Sequence, residues 1–457
     1  MITVLMLAGS GIESMELCIK SFRLFCDVEV SIVIVDDGST AGLQDWARKQ
    51  EDVTYVFLDE GKMSWGAALN MVRKELGIDT DLLTMDGNHM LTPKYLSRLS
   101  ELLYAEEDIG AVTGIVCNDM RYNPNLLVEA EGYEQAVDIA DTDEQAKGKY
   151  ALMPHSNTVL WKKGILDEMG EFDENVSTLR ALTDDYCIRL IKAEKKIVVC
   201  TNALLWCIDM NGQKEEINLQ DVDYWDVLEK KWGMHYFNDI YNVMLIDLIE
   251  KEPEESFSVL EIGCDCGATL LEIRNRFPQA EVYGSEINPT AAEMASHVAN
   301  VVVNDIEKED LPFPEKKFDY IIFGDVLEHL HNPLKTVAYC RKFLKEGGCI
   351  IASIPNVMHI SVIEGLLHGD FTYLEVGLLD KTHIHFFTYN EIVRMFHEAG
   401  YKICDVEGSG IPISDGQEEL IKQLLALGGK AEEFMYKAFQ YNVKARIVQK
   451  DGDEPSL

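Results

Sequence analysis

Two cysteines stand one residue apart in a glycine-bearing turn, within the sequence VLEIGCDCGATL that begins at Val259. Cysteine thiolates can hold zinc, but no second Cys or His pair follows Cys264 and Cys266 at zinc spacing. The turn instead follows three aliphatic positions and precedes a helical pattern from Ala268. A strand that ends in a glycine turn at a helix N-terminus lets backbone N–H groups approach a ligand closely. The sequence therefore predicts a ligand cradle here rather than a metal site.

The spacing within this turn disfavours one class of ligand. A dinucleotide fingerprint reads Gly-x-Gly-x-x-Gly, whereas this turn reads Glu-x-Gly-x-Asp-x-Gly from Glu261 to Gly267. Nicotinamide binding is therefore not expected. Downstream, Glu286 ends the strand-like segment AEVYGSEI, where an acidic residue can accept hydrogen bonds from both ribose hydroxyls of a nucleoside. The alternatives are that Glu261 is a plain strand-end charge and Glu286 a plain surface acid.

Further polar residues follow the later strands of the same half. Asp305, in VVVNDIE, offers a carboxylate suited to the exocyclic amine of adenine, and Asp325 ends the strand FDYIIFGDV. His383 and His385 alternate in DKTHIHFFT, so on a strand they would face the same side. A histidine titrates near neutral pH, so His383 could remove a proton from a substrate hydroxyl. The alternatives are a solvent-exposed histidine pair there and a hydrogen-bonded histidine under the sheet at His329.

This series resembles the class I S-adenosylmethionine-dependent methyltransferases over about residues 238 to 450, and especially those that methylate O or N atoms of sugars and quinones. The segments that carry the resemblance are VLEIGCDCG, GSEI, NDIE, FGDVLEHL, LKEGGCIIASIPN and DKTHIHFFT. It implies a Rossmann-like domain, S-adenosylmethionine as cofactor, and a lid over the acceptor formed by residues 361–380. The middle glycine of the family's turn is Asp265 here. The resemblance places the cofactor at Glu261, Gly263, Asp265, Gly267, Glu286, Asp305, Ile306 and Asp325, and catalysis at His383 and His329.

The first half ends two of its apolar strands in acidic residues. VSIVIVDDGST ends in Asp36 and Asp37, and DTDLLTMDGN ends in Asp86 with Asn88 two residues later. The carboxyl ends of parallel strands are where α/β sheets bind ligands. A carboxylate and an amide oxygen at this spacing can both face one hard cation that holds a diphosphate. Paired Asp residues are also common helix caps, an alternative that applies equally to Asp184-Asp185 beside an amphipathic helix.

Together these segments resemble the family-2 glycosyltransferases of the GT-A fold, over about residues 1 to 210. VDDGST, WGAALNMV, MDGN, EFDE and LTDDYCIRL carry the resemblance. Two departures are Asn88, which replaces the second Asp of the metal motif, and Cys207, where the family often has His. The resemblance implies a nucleotide-sugar donor at Asp36, Asp37, Gly66 and Asn70, a divalent cation (manganese or magnesium) at Asp86 and Asn88, and Asp185 as the base for inverting sugar transfer.

Both halves alternate short apolar runs with helical stretches, the pattern of parallel α/β folding. The 457 residues favour two or three domains. We expect two Rossmann-like α/β domains: a GT-A domain over 1–233 and a class I methyltransferase domain over 234–457, with a helix leading into the second. YKICDVEG and YNVKARIVQ are expected to form a closing antiparallel pair at one sheet edge. The acidic stretch at 129–150 is expected to be an exposed excursion.

The amino-acid composition disfavours some classes of binding partner. A net charge of −38 argues against nucleic acid and anionic membrane surfaces, and no apolar run approaches the ~18 residues of a membrane span. Residues 1–10 lack a basic region and are expected to be a strand rather than a signal peptide. The eleven cysteines are expected to be reduced thiols in a cytoplasmic protein, with at most peripheral membrane association.

The expected function is bifunctional: sugar transfer from a nucleotide-sugar donor and methylation of a glycan or lipid-linked saccharide acceptor. One alternative is a methyltransferase whose degenerate first domain only docks the substrate. Another, a methyltransferase that acts on protein or RNA, is disfavoured by the acidic charge.

Overall fold

The computed structural model describes residues 1–8, 11–58, 63–117, 126, 128–154, 156–176, 178–208, 228–234 and 237–448. The chain divides into two compact units, Met1–Ile240 and Tyr241–Leu457. The domain boundary that the sequence predicts at Gly233 lies shortly before the boundary between these units. Among the described residues, no helix combines the length and the apolar character that crossing a bilayer requires.

The first unit is built on a nine-stranded sheet. Its strands are β1 (Ile2–Ala8), β2 (Val30–Asp36), β3 (Val53–Phe57), β4 (Asp81–Asp86), β5 (His89–Leu91), β6 (Ile109–Cys117), β7 (Gly148–Ala151), β8 (Val159–Trp161) and β9 (Lys196–Cys207). Its helices are α1 (Ile12–Phe25), α2 (Leu43–Ala47), α3 (Trp65–Glu75), α4 (Tyr95–Leu103), α5 (Tyr133–Ala140), α6 (Ile165–Met169) and α7 (Leu179–Lys192), with a π-helical turn at Leu228–Trp232.

The strand order in this sheet is β3-β2-β1-β4-β8-β6-β9-β5, with β7 beside β9. β3, β2, β1 and β4 run parallel, and β8 runs antiparallel to its neighbours β4 and β6. All seven residues of β1 are buried, as expected for a continuous apolar strand covered on both faces. The parallel half carries the strand ends that the sequence singled out.

The acidic stretch at 129–150 lies mostly at the surface, as expected, although Ala136 and Ala140 of α5 are buried in a small core and β7 pairs with β9. One expectation about a connecting segment needs correction. The connection between the units was expected to be mostly helical. Within its described part, helical structure is confined to the π-helical turn and a five-residue helix at Val243–Asp247, and residues 209–227 lie outside the description.

The second unit contains a seven-stranded sheet. Its strands are β10 (Ser258–Ile262), β11 (Glu281–Glu286), β12 (Asn300–Val303), β13 (Phe318–Gly324), β14 (Leu344–Pro355), β15 (Tyr401–Ser409) and β16 (Gln440–Ile447). Its helices are α8 (Val243–Asp247), α9 (Ala268–Arg276), α10 (Pro289–Ser296), α11 (Pro333–Cys340), α12 (Ile360–His368), α13 (Tyr389–Glu398), α14 (Asp415–Ala426) and α15 (Glu433–Lys437), with 3-10 turns at Leu327–His329 and Arg341–Phe343.

The order of the second sheet is β12-β11-β10-β13-β14-β16-β15. The first five strands are parallel, and β16 runs antiparallel to both β14 and β15, which confirms the predicted antiparallel pair. The direction of strand succession reverses between β10 and β13, and the crevice at such a switch point is where doubly wound sheets bind ligands. The two α/β sheets confirm the predicted fold class.

Candidate active sites

The glycine turn after β10 forms the predicted cradle. Gly263, Asp265 and Gly267 have φ angles of 71°, 47° and 88°, all in the left-handed region. A Cβ on Gly263 would lie 2.6 Å from a methyl carbon of Val326, so no side chain fits there without a shift. Asp265 takes the left-handed angle that Asp tolerates better than most residues. The turn therefore presents bare backbone at the start of α9.

Two buried carboxylates flank the cradle. Glu286 Oε2 accepts a hydrogen bond from Asp265 N at 2.9 Å, and its Oε1 accepts one from Asn288 N at 2.8 Å. Glu261 is buried, and its Oε2 has no hydrogen-bond donor among the described residues. Burial raises the pKa of Glu261 to about 8, with the nearby Asp265 and Glu286 adding to the shift. An orphaned, buried oxygen beside a glycine cradle is the kind of group that a bound ligand satisfies.

The remaining predicted cofactor residues lie at later strand ends. Asp305 pairs with Lys308 at 2.6 Å, a hydrogen bond that lowers the pKa of Asp305, and Ile306 packs at the edge of the second core. Asp325 follows β13 with φ 54°, and its Oδ2 accepts a hydrogen bond from the Ser353 hydroxyl at 3.1 Å. The register places Ile262 beside both Ser285 and Phe323, so the cradle, Glu286 and Asp325 share one edge of the sheet.

The two predicted catalytic histidines meet near that edge. The ring centroids of His329 and His383 lie 4.9 Å apart. His383 is buried, so the alternative of a solvent-exposed histidine pair is wrong for this residue. Burial also lowers the pKa of His383. His329 is exposed, so it is not a histidine under the sheet. His383 and His385 do not lie on a strand as the alternation suggested, because the described loop there is irregular.

Glu328 is the residue that the sequence interpretation missed. It stands between Asp325 and His329, its side chain is 1% exposed, and its Oε1 lies 3.9 Å from His383 Nε2. Burial raises its pKa to about 8. The only signal for it was an acidic residue next to a predicted catalytic histidine on a strand-end turn.

The predicted lid comprises α12 and the loop that follows it. Several apolar side chains on this segment are exposed: Leu366, Leu367, Phe371, Tyr373, Leu374 and Val376. Several exposed apolar side chains on one short segment are typical of a surface that contacts a ligand or partner. Its role as a lid stays a prediction.

In the first unit, the register brings two strand-end carboxylates to either side of β1. Asp36 pairs in register with Ala8, and Asp86 pairs with Leu7. Asp36 is buried and accepts hydrogen bonds from Gly38 N at 2.9 Å and from the Tyr55 hydroxyl at 2.6 Å. These contacts fix its carboxylate at the carboxyl end of the parallel strands.

The residues around the predicted cation site share this edge. Asn88 Oδ1 is buried and has no hydrogen-bond donor among the described residues, which fits an oxygen ligand for a cation. Asp37 Oδ1 accepts a hydrogen bond from Ser39 N at 3.0 Å. The buried His89, which the sequence interpretation also missed, pairs in register with Cys207, the position where a histidine is common in the resembling family.

Gly66 and Asn70 contact the EFDE segment of their own domain. Asn70 Nδ2 donates to Phe172 O at 2.9 Å and its Oδ1 accepts from Phe172 N at 3.1 Å. A Cβ on Gly66 would lie 2.0 Å from Asp173 O. Both residues therefore join α3 to the segment before α7, and contact with a nucleotide sugar stays a prediction for them.

Asp185 lies within α7 rather than at its start. The helix is capped by Thr178, whose hydroxyl accepts from Ala181 N at 3.2 Å, so the capping alternative for Asp185 is wrong and so is the predicted position at the helix start. Asp185 is fully buried, and Lys231 Nζ and Trp232 Nε1 lie 2.7 Å and 2.9 Å from its Oδ1. The carboxylate is therefore covered by the π-helical turn.

Two known families match separate parts of the chain. Residues 12–167 match the family described as glycosyl transferase family 2, and residues 236–406 match the family described as methyltransferase domain. The chain thus carries a glycosyl transferase family 2 domain and a methyltransferase domain. It is a transferase with two transferase domains in one polypeptide.

Curated relatives match parts of the chain. An uncharacterised protein of Methanocaldococcus jannaschii is 25% identical over 49% of this chain and 87% of its own length. A mitochondrial ubiquinone biosynthesis O-methyltransferase of Dictyostelium discoideum is 24% identical over 42% of this chain and 67% of its own. A malonyl-[acyl-carrier protein] O-methyltransferase of Ilyobacter polytropus is 31% identical over 22% and 41%. A solved S-adenosylmethionine-dependent methyltransferase from Archaeoglobus fulgidus covers 49% of this chain and 100% of its own, with 17% identity and a TM-score of 0.34.

Proposed function

We propose that this protein is a bifunctional enzyme that transfers a sugar from a nucleotide-sugar donor and methylates a glycan or other small-molecule acceptor. The observation that carries the proposal is that each sheet of this one chain has a candidate ligand site at the carboxyl ends of its parallel strands. The first sheet has strand-end carboxylates on either side of β1, and the second has a glycine cradle after β10. Joining two activities in one chain raises the effective concentration of the first product at the second site. Bacterial surface-polysaccharide or glycoconjugate assembly, with a glycan or lipid-linked saccharide acceptor, would use such a pair.

In sugar transfer, the acceptor oxygen forms a bond to the anomeric carbon while the bond from that carbon to the diphosphate breaks. The diphosphate leaves with the electron pair, and Asp185 takes the acceptor's proton. Lys231 and Trp232 must move away from the carboxylate for this to occur, because they cover it. Asp86 and Asn88 would hold a manganese or magnesium ion, whose charge would stabilise the leaving diphosphate.

In methyl transfer, the cradle and its carboxylates hold the cofactor. S-adenosylmethionine supplies an electrophilic methyl group on a sulfonium centre. Glu286 would accept hydrogen bonds from the ribose, and Glu261, whose Oε2 has no hydrogen-bond donor among the described residues, would meet a polar group of the cofactor. His383 would take the proton from the acceptor oxygen as that oxygen attacks the methyl group, and the sulfur of the cofactor would keep the electrons of the broken S–C bond. Oxygen is the proposed methylated atom because two of the three curated relatives named above are O-methyltransferases.

The burial of Asp185 supports a second candidate function. A base whose carboxylate is fully covered cannot reach an acceptor without a rearrangement, so the first domain could instead bind the glycan and present it to the methyltransferase. Transfer or hydrolysis of any nucleotide sugar by the purified protein would exclude this docking function.

Calorimetric titration with S-adenosylmethionine tests the proposal that the second domain binds this cofactor through Glu286. Glu286→Ala should weaken binding by about 1.5–3 kcal/mol, the value of a hydrogen bond to a charged group. Glu281→Ala serves as the matched control, because Glu281 lies at the exposed start of the same strand. Unchanged affinity in Glu286→Ala would contradict the assignment.

The sugar-transfer half is tested by nucleotide-sugar binding with and without manganese. Ligands that bind the native state raise its thermal stability, so a panel of donors identifies the one that binds. Asp86→Ala should abolish manganese-dependent donor binding and leave S-adenosylmethionine binding intact. Asn88→Asp should tighten metal binding, because a carboxylate replaces an amide on a hard cation. No change in either variant would argue against a cation at this site.

A further inference from the structure

Three side chains meet after β13, and they include the two histidines that the resemblance proposes for catalysis. Glu328 and His329 lie on the 3-10 turn Leu327–His329, and His383 lies on the loop before α13. One donor atom from each of these residues lies within 4.8 Å of the others. We call these residues the Glu-His-His cluster. It begins three residues after Asp325, on the sheet edge that carries the cofactor cradle.

The carboxylate of Glu328 is the group in this cluster that demands a partner. Its side chain is 1% exposed, and neither of its oxygens has a hydrogen-bond donor among the described residues. A buried carboxylate is stable when it carries a proton, pairs with a cation or coordinates a metal. The backbone carbonyl of Glu328 accepts hydrogen bonds from Ile384 N and His385 N, both at 3.0 Å. The turn and the loop that supply the cluster are therefore fixed to each other.

Both histidines of the cluster have one ring nitrogen against a backbone carbonyl. His383 Nδ1 lies 3.3 Å from Leu378 O, and His329 Nδ1 lies 3.2 Å from Thr382 O. A carbonyl only accepts, so a hydrogen bond to it requires the proton on Nδ1 and leaves the lone pair on Nε2. This arrangement is characteristic of metal-binding histidines, in which the second nitrogen donates to a carbonyl and orients the ring.

The spacing suits one ion between the side chains better than a direct contact. His383 Nε2 and Glu328 Oε1 are 3.9 Å apart, which is too long for a hydrogen bond. Two ligands of a tetrahedral ion at bond lengths of about 2.1 Å lie roughly 3.4 Å apart. Small side-chain rotations therefore bring the cluster to coordination distance. The carboxylates of Asp325 and Asp380 add negative charge nearby.

We propose that Glu328, His329 and His383 bind one divalent first-row transition-metal ion, such as zinc, manganese or cobalt. Two imidazoles and one carboxylate favour these ions over calcium and magnesium, which prefer all-oxygen sites. Three protein ligands leave coordination positions open for a substrate. An acceptor with two neighbouring oxygens, such as a vicinal diol, would chelate the ion, and its hydroxyl would become more acidic. This last clause rests on the proposed methyltransferase function and changes the part of His383 in it, because Nε2 cannot bind the ion and also accept the acceptor's proton. With the ion bound, the acidified hydroxyl would lose its proton to solvent and His383 would serve as a ligand.

Metal binding is measurable without turnover. The full chain, in an Asp86→Ala background that removes the proposed cation site of the first domain, is stripped with a chelator and titrated with cobalt. Visible absorption bands should report one site with imidazole ligands. His383→Ala and Glu328→Gln should each weaken cobalt binding at least about 100-fold. His385→Ala is the matched control, because its Nε2 lies 3.2 Å from His331 O, outside the cluster.

Two further measurements keep the outcomes separate. His329→Ala, at an exposed position, tests the site if a buried variant fails to fold, and calorimetry with S-adenosylmethionine reports whether the second domain is intact. Equal cobalt affinity in the parent and in folded cluster variants would overturn the metal site while leaving the methyltransferase assignment standing. Loss of cobalt binding with intact S-adenosylmethionine affinity would support it. Failure of the parent to bind S-adenosylmethionine would overturn the proposed function instead.

Discussion

Lys231 Nζ lies 2.7 Å from Oδ1 of Asp185, so the ammonium of the π-helical turn pairs with the carboxylate proposed as the base of sugar transfer. Arg189, one turn further along α7, lies 3.2 Å from the other oxygen of the same carboxylate. The ion pairs satisfy a charge that is otherwise fully buried. Any role of Asp185 in proton transfer therefore includes release of Lys231.

Asp185→Asn should lower sugar transfer by about 10²–10⁴-fold, because asparagine keeps the hydrogen-bonding oxygen but is not a base. Donor binding should be retained. Asp184→Asn is the matched control: Asp184 is a buried neighbour on the same helix that pairs with Arg180. Single-turnover assays on the folded proteins should show the large loss only at Asp185. Near-normal turnover of Asp185→Asn would mean that the base lies elsewhere.

Gly66→Ala should destabilise the first domain by about 1–3 kcal/mol, because the new Cβ would lie 2.0 Å from Asp173 O. Gly132→Ala, where a Cβ meets nothing within 4 Å, should change the free energy of unfolding by less than about 1 kcal/mol. Denaturant unfolding measures both variants. If Gly66→Ala keeps its stability and loses donor binding, the glycine serves the nucleotide sugar rather than the packing of α3.

Asp265→Gly and Asp265→Ala separate backbone strain from charge in the cradle. Both remove the carboxylate, but only glycine adopts the observed φ of 47° without strain. The glycine variant should be more stable than the alanine variant by about 1 kcal/mol. Equal unfolding free energies for the two variants would show that the left-handed angle is not retained in solution.

Glu261 should make the empty second domain less stable as pH rises. The pKa of about 8 in the folded state lies above the ordinary value of 4.5 for a glutamate side chain, so between these values the folded state holds a proton that the unfolded state has released. Stability from this group is complete below the unfolded pKa and is lost as pH rises through about 8. Between pH 5 and pH 8.5 the free energy of unfolding should fall by an amount on the order of 2–4 kcal/mol in the parent, and Glu261→Gln should not show this fall. Denaturant unfolding of the parent and of Glu261→Gln at both pH values, without S-adenosylmethionine, measures this loss. If the pKa of Glu261 is not raised, the two proteins should show the same dependence on pH.

Local signals predicted most of the fold and part of the sites. Apolar runs followed by Asp36, Asp86 and Glu286 identified parallel strands and their ligand-bearing ends, because strand period and strand ends are readable from adjacent residues. The sequence could not show that Lys231 covers Asp185. That contact joins distant segments and depends on how the π-helical turn packs.

The same limit explains the other misses. Asn70 contacts Phe172 across 102 positions of the chain, a contact that motif matching does not reveal, and its assignment to the donor stays a prediction. Glu328 became visible only when the fold brought His383 beside it. The left-handed angle of Asp265, in contrast, fits its own residue type and its replacement of a glycine in the turn.

The place of β16 in the second sheet has a consequence for how the chain folds during synthesis. β16 (Gln440–Ile447) lies between β14 and β15 and pairs with both. Until it emerges from the ribosome, at about 5–20 residues per second, the edge of β14 is unpaired and β15 has no partner in the sheet. An unpaired apolar edge is a template for intermolecular pairing. The second sheet is therefore complete only once β16 has been made, and until then β14 presents an edge that is open to intermolecular pairing.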